Sequence, residues 1–246
     1  MSKRSFYSPV SAPKNQLVLY GRHAVLSALQ NPLRKKIKLL CTKDVANEVA
    51  QYSPQITERK EIEKILPPDS VHQGLALICN ELPSTSLEEI IDIANTKDSC
   101  HILILDQVTD PQNIGAIIRS ATAFDTLALI VQDKNSPTET GSMAKASAGM
   151  IEHLPIVRVT NLSRAINQLK NAGFWTIGMD GYAKTTIGEL KKGGKNAIIM
   201  GSEGRGMRRL VEENCDITVK LPMNSKVESL NVATAAAIVL YEINKE

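Results

Sequence analysis

The feature that most constrains this fold is the regular alternation of apolar runs and helical patterns over residues 100–243. Short apolar runs predict strands at 101–105, 127–131, 156–159, 175–179, 197–200 and 217–221. Helical periodicity falls between them, around 114–123, 138–150, 162–171 and 207–214, and a last helix is expected over 230–243. Near-continuous apolar strands are those buried on both faces. Strands that alternate with helices build a parallel sheet covered by helices, and its ligands gather outside the carboxyl ends of the strands.

The preceding stretch reads as a smaller α/β unit. A strand is expected at 17–20 and a helix at 21–30, stopped by Asn31-Pro32. A strand at 37–41, helices at 45–52 and 58–66, and a buried strand at 75–79 complete it. Pro67-Pro68 ends the second of those helices, because proline cannot continue a helical ladder. Residues 81–98 form a linker, in which Ser86 and Glu89 have the spacing of a capping box before a helix at 87–94. Residues 1–16 are basic, rich in Ser and Pro and without periodicity, and are expected to be disordered.

Charge is distributed unevenly. Residues 1–43 hold nine Lys and Arg and no acidic residue, while the remainder holds 20 basic against 26 acidic residues. A basic end on an otherwise acidic chain suggests contact with a polyanion, most simply nucleic acid. No apolar run approaches the roughly 20 residues of a membrane span. Cys41, Cys79, Cys100 and Cys215 are scattered without a C-x-x-C pair, as expected of reduced thiols in a cytoplasmic protein. The spacing of the four histidines asks for no metal.

Three polar, glycine-bearing clusters follow expected strands. The first runs from Asp106 through Asp110-Pro111-Gln112-Asn113-Ile114-Gly115-Ala116 to Arg119. The second is Gly201-Ser202-Glu203-Gly204-Arg205-Gly206, and the third is Leu221-Pro222-Met223 followed by Ser229-Leu230-Asn231. The second does not match a dinucleotide loop, since its spacing is G-x-x-G-x-G rather than G-x-G-x-x-G. No Gly-Lys-Ser/Thr follows, which also separates it from phosphate-binding loops of nucleotide hydrolases. Glycines at such a turn are expected to let the backbone approach a ligand.

These clusters, N-x-G-A-x-x-R, G-x-E-G-x-G and S-L-N-V in that order, resemble the motifs of the SpoU-type RNA ribose 2′-O-methyltransferases of the SPOUT superfamily. Tyr20-Gly21-Arg22-His23-Ala24-Val25 and Val71-His72-Gln73-Gly74 resemble the small L30e-like RNA-binding domain that precedes the catalytic domain in bacterial 23S rRNA guanosine 2′-O-methyltransferases. Within residues 224–228, Lys226 and Glu228 stand where close relatives more often carry small or hydroxyl residues.

The resemblance implies an L30e-like substrate-binding domain over 17–80 and a SPOUT domain over 99–246, with a C-terminal trefoil knot. It implies S-adenosylmethionine as cofactor, ribosomal RNA as partner, a homodimer, and neither metal nor membrane. It assigns Asn113, Arg119, Glu203, Ser229 and Asn231 to catalysis. Gly201, Gly206, Leu221, Met223 and Leu230 would bind the cofactor, and Arg22, His23, His72 and Gln73 the RNA. Plainer readings stand beside these. Asn113 and Ser229 suit helix caps, Arg119 suits a surface ion pair, and Arg205, Arg208 and Arg209 suit either an RNA face or a solvated one. The rival functions are a tRNA ribose methyltransferase, an rRNA methylase conferring antibiotic resistance, a non-catalytic RNA-binding protein of the same fold, and a nicotinamide-dependent oxidoreductase.

Overall fold

The computed structural model describes residues 16–190 and 193–245. The expected basic tail lies outside them except for Gln16, which opens the first strand. In chain order the elements are β1 (Gln16–Tyr20), α1 (Arg22–Gln30), β2 (Lys36–Cys41), β3 (Gln55–Ile56), α2 (Arg59–Glu63), β4 (Leu75–Asn80), α3 (Leu87–Asn95), β5 (Cys100–Leu105), α4 (Pro111–Ala123), β6 (Ala128–Gln132), α5 (Gly141–Ala146), β7 (Ile156–Val159), α6 (Leu162–Asn171), β8 (Trp175–Met179), β9 (Thr185–Thr186), β10 (Lys195–Met200), α7 (Arg209–Glu212), β11 (Ile217–Lys220) and α8 (Val232–Asn244). They fall into two compact units. One holds the chain up to Pro83 together with Glu139–Glu152, and the other holds Ser84–Thr138 with everything from His153 onward.

The first unit has a four-stranded sheet in the order β1-β4-β2-β3. α1 buries Ala24, Val25, Ala28 and Leu29, the i, i+1, i+4, i+5 stripe of an amphipathic helix. A buried ion cluster pins the later segment to this unit. The fully buried Arg34 guanidinium reaches Glu139 Oε1 at 2.5 Å, Glu152 Oε1 at 2.6 Å and the Asn80 carbonyl at 2.8 Å. Burial pushes the Glu139 carboxyl up, against the pull of Arg34. The single helix expected over 138–150 is broken. Ala148 and Gly149 turn to φ 51° and 83°, so α5 stops and a 3-10 turn, Met150–Glu152, delivers Glu152 to Arg34.

The second unit has seven strands in the order β7-β6-β5-β10-β8-β11-β9, and every ladder is parallel. All six residues of β5 are buried, as an apolar run in the middle of a covered sheet requires. The capping box at α3 forms as expected. Ser86 Oγ accepts from Glu89 N at 3.2 Å, and Glu89 Oε2 accepts from Ser86 N at 2.7 Å. α6 buries Leu162, Ala165, Ile166 and Leu169 at helical spacing. α4 packs against α8, with Phe124 and Tyr241 edge to face at 6.1 Å. β7, β8 and α6 lie on the residues predicted for them. The helix expected over 207–214 shrinks to α7, because Arg208 is drawn into the loop before it.

Candidate active site

The sheet order sets the geometry. β6, β5 and β10 are neighbours and parallel, so their carboxyl ends open on one edge. The first motif cluster follows β5 and the second follows β10. A cavity of about 730 Å³ lies there, lined by Gln107, Thr109, Lys134, Asn135, Ser136, Pro137, Ser202, Glu203 and Arg205. The first and second clusters therefore share one cavity, and the loop after β6, which carries no recognised motif, supplies its third wall.

The first and second clusters are also bolted together beneath the surface. Asp106, fully buried just after β5, accepts hydrogen bonds from the Arg208 backbone N–H and from Nε, each at 2.8 Å, and its Oδ1 lies 2.8 Å from Nη2 in an ion pair. Arg208, a candidate for the RNA face, is thus a structural partner of Asp106. One carboxylate oxygen faces both Nε and Nη2 of the guanidinium while the other takes the backbone N–H, a charge-assisted contact that the planar head of Arg can make. Asp106 had no assigned role in the sequence reading, because nothing in the pattern distinguishes a buried carboxylate at a strand end from a loop residue.

The second cluster closes on itself. Ser202 and Gly206 exchange backbone hydrogen bonds at 3.1 and 2.9 Å. A Cβ on Gly201 would sit 2.1 Å from the Gly206 carbonyl carbon, so Gly201 is glycine for closure of the loop rather than for approach of a ligand. Gly204 and Gly206, at φ 78° and 67°, are the glycines with open space on their exposed side. Glu203 is exposed in the cavity wall, whereas Arg119 is not among the lining residues.

The first and third clusters meet directly. Asn231 Nδ2 donates to Asn113 Oδ1 at 2.9 Å, while Asn231 Oδ1 caps α8 by accepting from Ala233 N and Thr234 N. Asn113 is not a helix cap. Asp110 caps α4, accepting from Gln112 N at 2.9 Å, with Pro111 in the first turn. Ser229 is not a cap either, since α8 starts two residues later than predicted. Arg119 is exposed on α4 and has no ion-pair partner among the described residues, so the surface-pair reading does not hold. Leu221 and Leu230 are half-buried, and Met223 is exposed. Among the described residues no cluster of His, Cys, Asp and Glu could hold a metal ion.

The candidates in the first unit separate. Arg22 and His23 are exposed on α1, although Arg22 Nε reaches Glu48 at 2.9 Å. Gln73 is exposed at φ 53°, and its Oε1 accepts from Arg22 N at 3.0 Å. His72 cannot offer its ring to RNA as expected, because it is buried and its Nδ1 accepts from Gly74 N. It shapes the turn that presents Gln73. Burial, with Arg59 nearby, also lowers its pKa below the ordinary imidazole value.

The fold so built is that of the SpoU methyltransferases. The SpoU methyltransferase AviRb from Streptomyces viridochromogenes, solved with AdoMet, superposes with a TM-score of 0.80 at 22% identity over 94% of this chain and 90% of that one. An AdoMet-bound rRNA methyltransferase from Sinorhizobium meliloti gives 0.79 at 22% identity, over 94% and 87%. In sequence, residues 101–241 match the SpoU rRNA methylase family, and residues 18–85 match the RNA 2′-O ribose methyltransferase substrate-binding family. A Staphylococcus aureus protein assigned to the TrmH family of tRNA/rRNA methyltransferases is 35% identical over 92% of this chain and 94% of its own. YacO of Bacillus subtilis, assigned likewise, is 33% identical over the same shares. The chain belongs to the SpoU methylase family.

Proposed function

We propose that this chain methylates a ribose 2′-hydroxyl of RNA with S-adenosylmethionine, and that the target is a guanosine of large-subunit ribosomal RNA. The observation that carries the reading is the Asn231–Asn113 hydrogen bond, which joins the first and third motifs while the second shares a cavity with the first. A non-catalytic protein would have no need to keep all three together. A tRNA ribose is the second reading, favoured by the joint tRNA/rRNA assignment of the relatives.

The residues present suit the cofactor. The backbone at Gly204 and Gly206 has open space where a side chain would project, so a ligand can lie along it. Gly201, Gly206, Leu221, Met223 and Leu230 would hold it largely by main chain. S-adenosylmethionine supplies an electrophilic methyl group on a good leaving group, so the protein's task is positioning and electrostatics. Arg119, free of carboxylates, clamps the phosphate beside the target and stabilises the developing alkoxide. It is a poor base, since a guanidinium gives up its proton very reluctantly. Asn113 and Asn231 hold the starts of α4 and α8 in register, and Glu203 and Ser229 orient the ribose from their exposed positions.

The same reading carries four further proposals. The protein is a homodimer, supported by Ile238 and Tyr241, which stand 42% and 55% exposed on α8. Its C-terminal segment forms the trefoil knot of the family. It works in the cytoplasm, supported by four cysteines without a disulfide. The first unit grips the RNA, supported by the exposure of Arg22, His23 and Gln73. Calorimetry tests the core of this: S-adenosylhomocysteine should bind and NAD should not. Preferential NAD binding, or no binding of S-adenosylhomocysteine, would overturn it.

A further inference from the structure

The cavity has one wall that no motif accounts for, residues 134–137 after β6. That wall is built rather than loose. Gln132 Nε2 donates to the Thr160 carbonyl at 3.3 Å, and Asn135 Nδ2 donates to Gln132 Oε1 at 3.1 Å. Asp133 N donates to the Val159 carbonyl at 3.0 Å. Arg158, on the edge strand β7, braces the loop from behind. Its guanidinium donates to the carbonyls of Ser136 and Pro137 and lies 4.0 Å from Asp133 Oδ1. Arg158 is therefore committed to the loop and is not a surface cation.

What the brace presents is chemically specific. Lys134 stands exposed on the cavity rim with no ion pair among the described residues, and Arg205 stands likewise on the facing loop. The lining also holds the carboxamides of half-buried Gln107 and exposed Asn135, and the Ser136 hydroxyl, which is buried without a hydrogen-bond partner in the described structure. Two cations at the rim suit a phosphate. Carboxamides and a hydroxyl, which both donate and accept, suit the edge of a base. The volume of about 730 Å³ lies within the roughly 300–1,000 Å³ of small-molecule sites and admits a nucleotide. The cavity adjoins the expected cofactor position, sharing with it the loop from Gly201 to Gly206, but extends away from the other cofactor candidates. It opens over β6, β5 and β10, whereas Leu221 follows β11, on the other side of β10.

We infer that this cavity takes one unstacked ribonucleotide of the substrate, with Lys134 and Arg205 on its phosphate and Gln107, Asn135 and Ser136 on its base. Arg158 is a positioning residue that acts through the loop. The inference rests on the proposed RNA substrate for its choice of ligand. RNA read in this way is single-stranded, with the base splayed into a pocket.

The test uses the full-length protein, labelled with ¹⁵N, with and without saturating S-adenosylhomocysteine. The probes are guanosine 5′-monophosphate, uridine 5′-monophosphate, guanosine and inorganic phosphate. A mononucleotide should shift the side-chain amide signals of Gln107 and Asn135 in both states. Lys134→Ala should weaken that binding at least fivefold and change S-adenosylhomocysteine affinity less than twofold. Arg158→Gln should weaken it similarly, and Arg158→Lys should recover part of the loss, with melting temperature and S-adenosylhomocysteine affinity unmoved. Parallel loss of melting temperature and of affinity for both ligands would make Arg158 merely structural. Shifts confined to Gly201, Leu221 and Leu230 would mean that the mononucleotide sits in the cofactor position, and would overturn the inference. So would equal responses to inorganic phosphate and the mononucleotides, or indifference to Lys134→Ala. If S-adenosylhomocysteine fails to bind while the mononucleotide shifts persist, the methyl donor is wrong and the nucleotide cavity stands.

Discussion

Asp106→Ala should unsettle the second motif without touching it. The wild-type carboxylate is fully buried, accepts hydrogen bonds from the Arg208 backbone N–H and Nε at 2.8 Å, and lies 2.8 Å from Arg208 Nη2 in an ion pair. Removing one partner of a buried ion pair costs about 3–5 kcal/mol. The Arg208 side chain is 36% exposed, so part of its charge is recovered by water, and the low end, about 3 kcal/mol, is expected. At about 2–4 °C per kcal/mol for a chain of this size, the melting temperature should fall by about 6–12 °C. Asp106→Asn should fare little better, since an amide nitrogen would face the guanidinium donors. Below the melting transition, the loop from Gly201 to Gly206 should lose its fixed exit, and S-adenosylhomocysteine affinity should drop about tenfold, or 1.4 kcal/mol. Differential scanning fluorimetry and calorimetry measure both effects. A double-mutant cycle with Arg208→Ala should return a coupling of about 2 kcal/mol. Additive single mutants would refute the claim that this pair joins the two motifs.

Other changes have separable outcomes. Arg34→Ala leaves Glu139 and Glu152 buried without their cation and should destabilise the first unit by about 3–5 kcal/mol, seen by chemical denaturation; Arg34→Lys should rescue little, because one ammonium cannot replace the fork. Asn231→Ala should cost about 1 kcal/mol as a lost cap and abolish turnover, whereas Asn113→Ala should reduce turnover with a smaller stability loss in the same melts. Burial alone would raise the Asp216 carboxyl, but hydrogen bonds from Lys170 and Thr176 hold it below its ordinary value. Its folded pKa is depressed, so its contribution is complete above an ordinary value of about 4 and is lost as pH falls through the folded one. The stability gap between wild type and Asp216→Asn should therefore be constant above about pH 5 and close below it. Burial raises the Cys79 thiol to about 12, so native protein at pH 8 should leave Cys79 unalkylated by iodoacetamide, as peptide mapping would show.

The sequence was most legible where local chemistry decides the outcome. The Ser86–Glu89 box and the β7, β8 and α6 spans follow from capping and periodicity that act within a few residues. Long-range partners were not visible. Nothing local says that Asp106 waits for Arg208, or that Asn113 pairs with Asn231 118 positions away. Burial misled the reading of His72, whose motif position suggested RNA but whose ring is enclosed. The break at Ala148 and Gly149 was hidden because alanine in the left-handed region is uncommon, and the segment otherwise reads as helix. The three motifs were found by resemblance, yet the third wall of the cavity carries none and emerged only from the sheet order.

The most direct measurement is nucleoside mass spectrometry of RNA from cells with and without this gene, complemented by wild type or by Arg119→Ala. The account predicts one 2′-O-methylated nucleoside that is missing from a defined RNA position in the deletion, restored by wild type and not by Arg119→Ala. Methylation on a base instead of the ribose, or full restoration by Arg119→Ala, would contradict it.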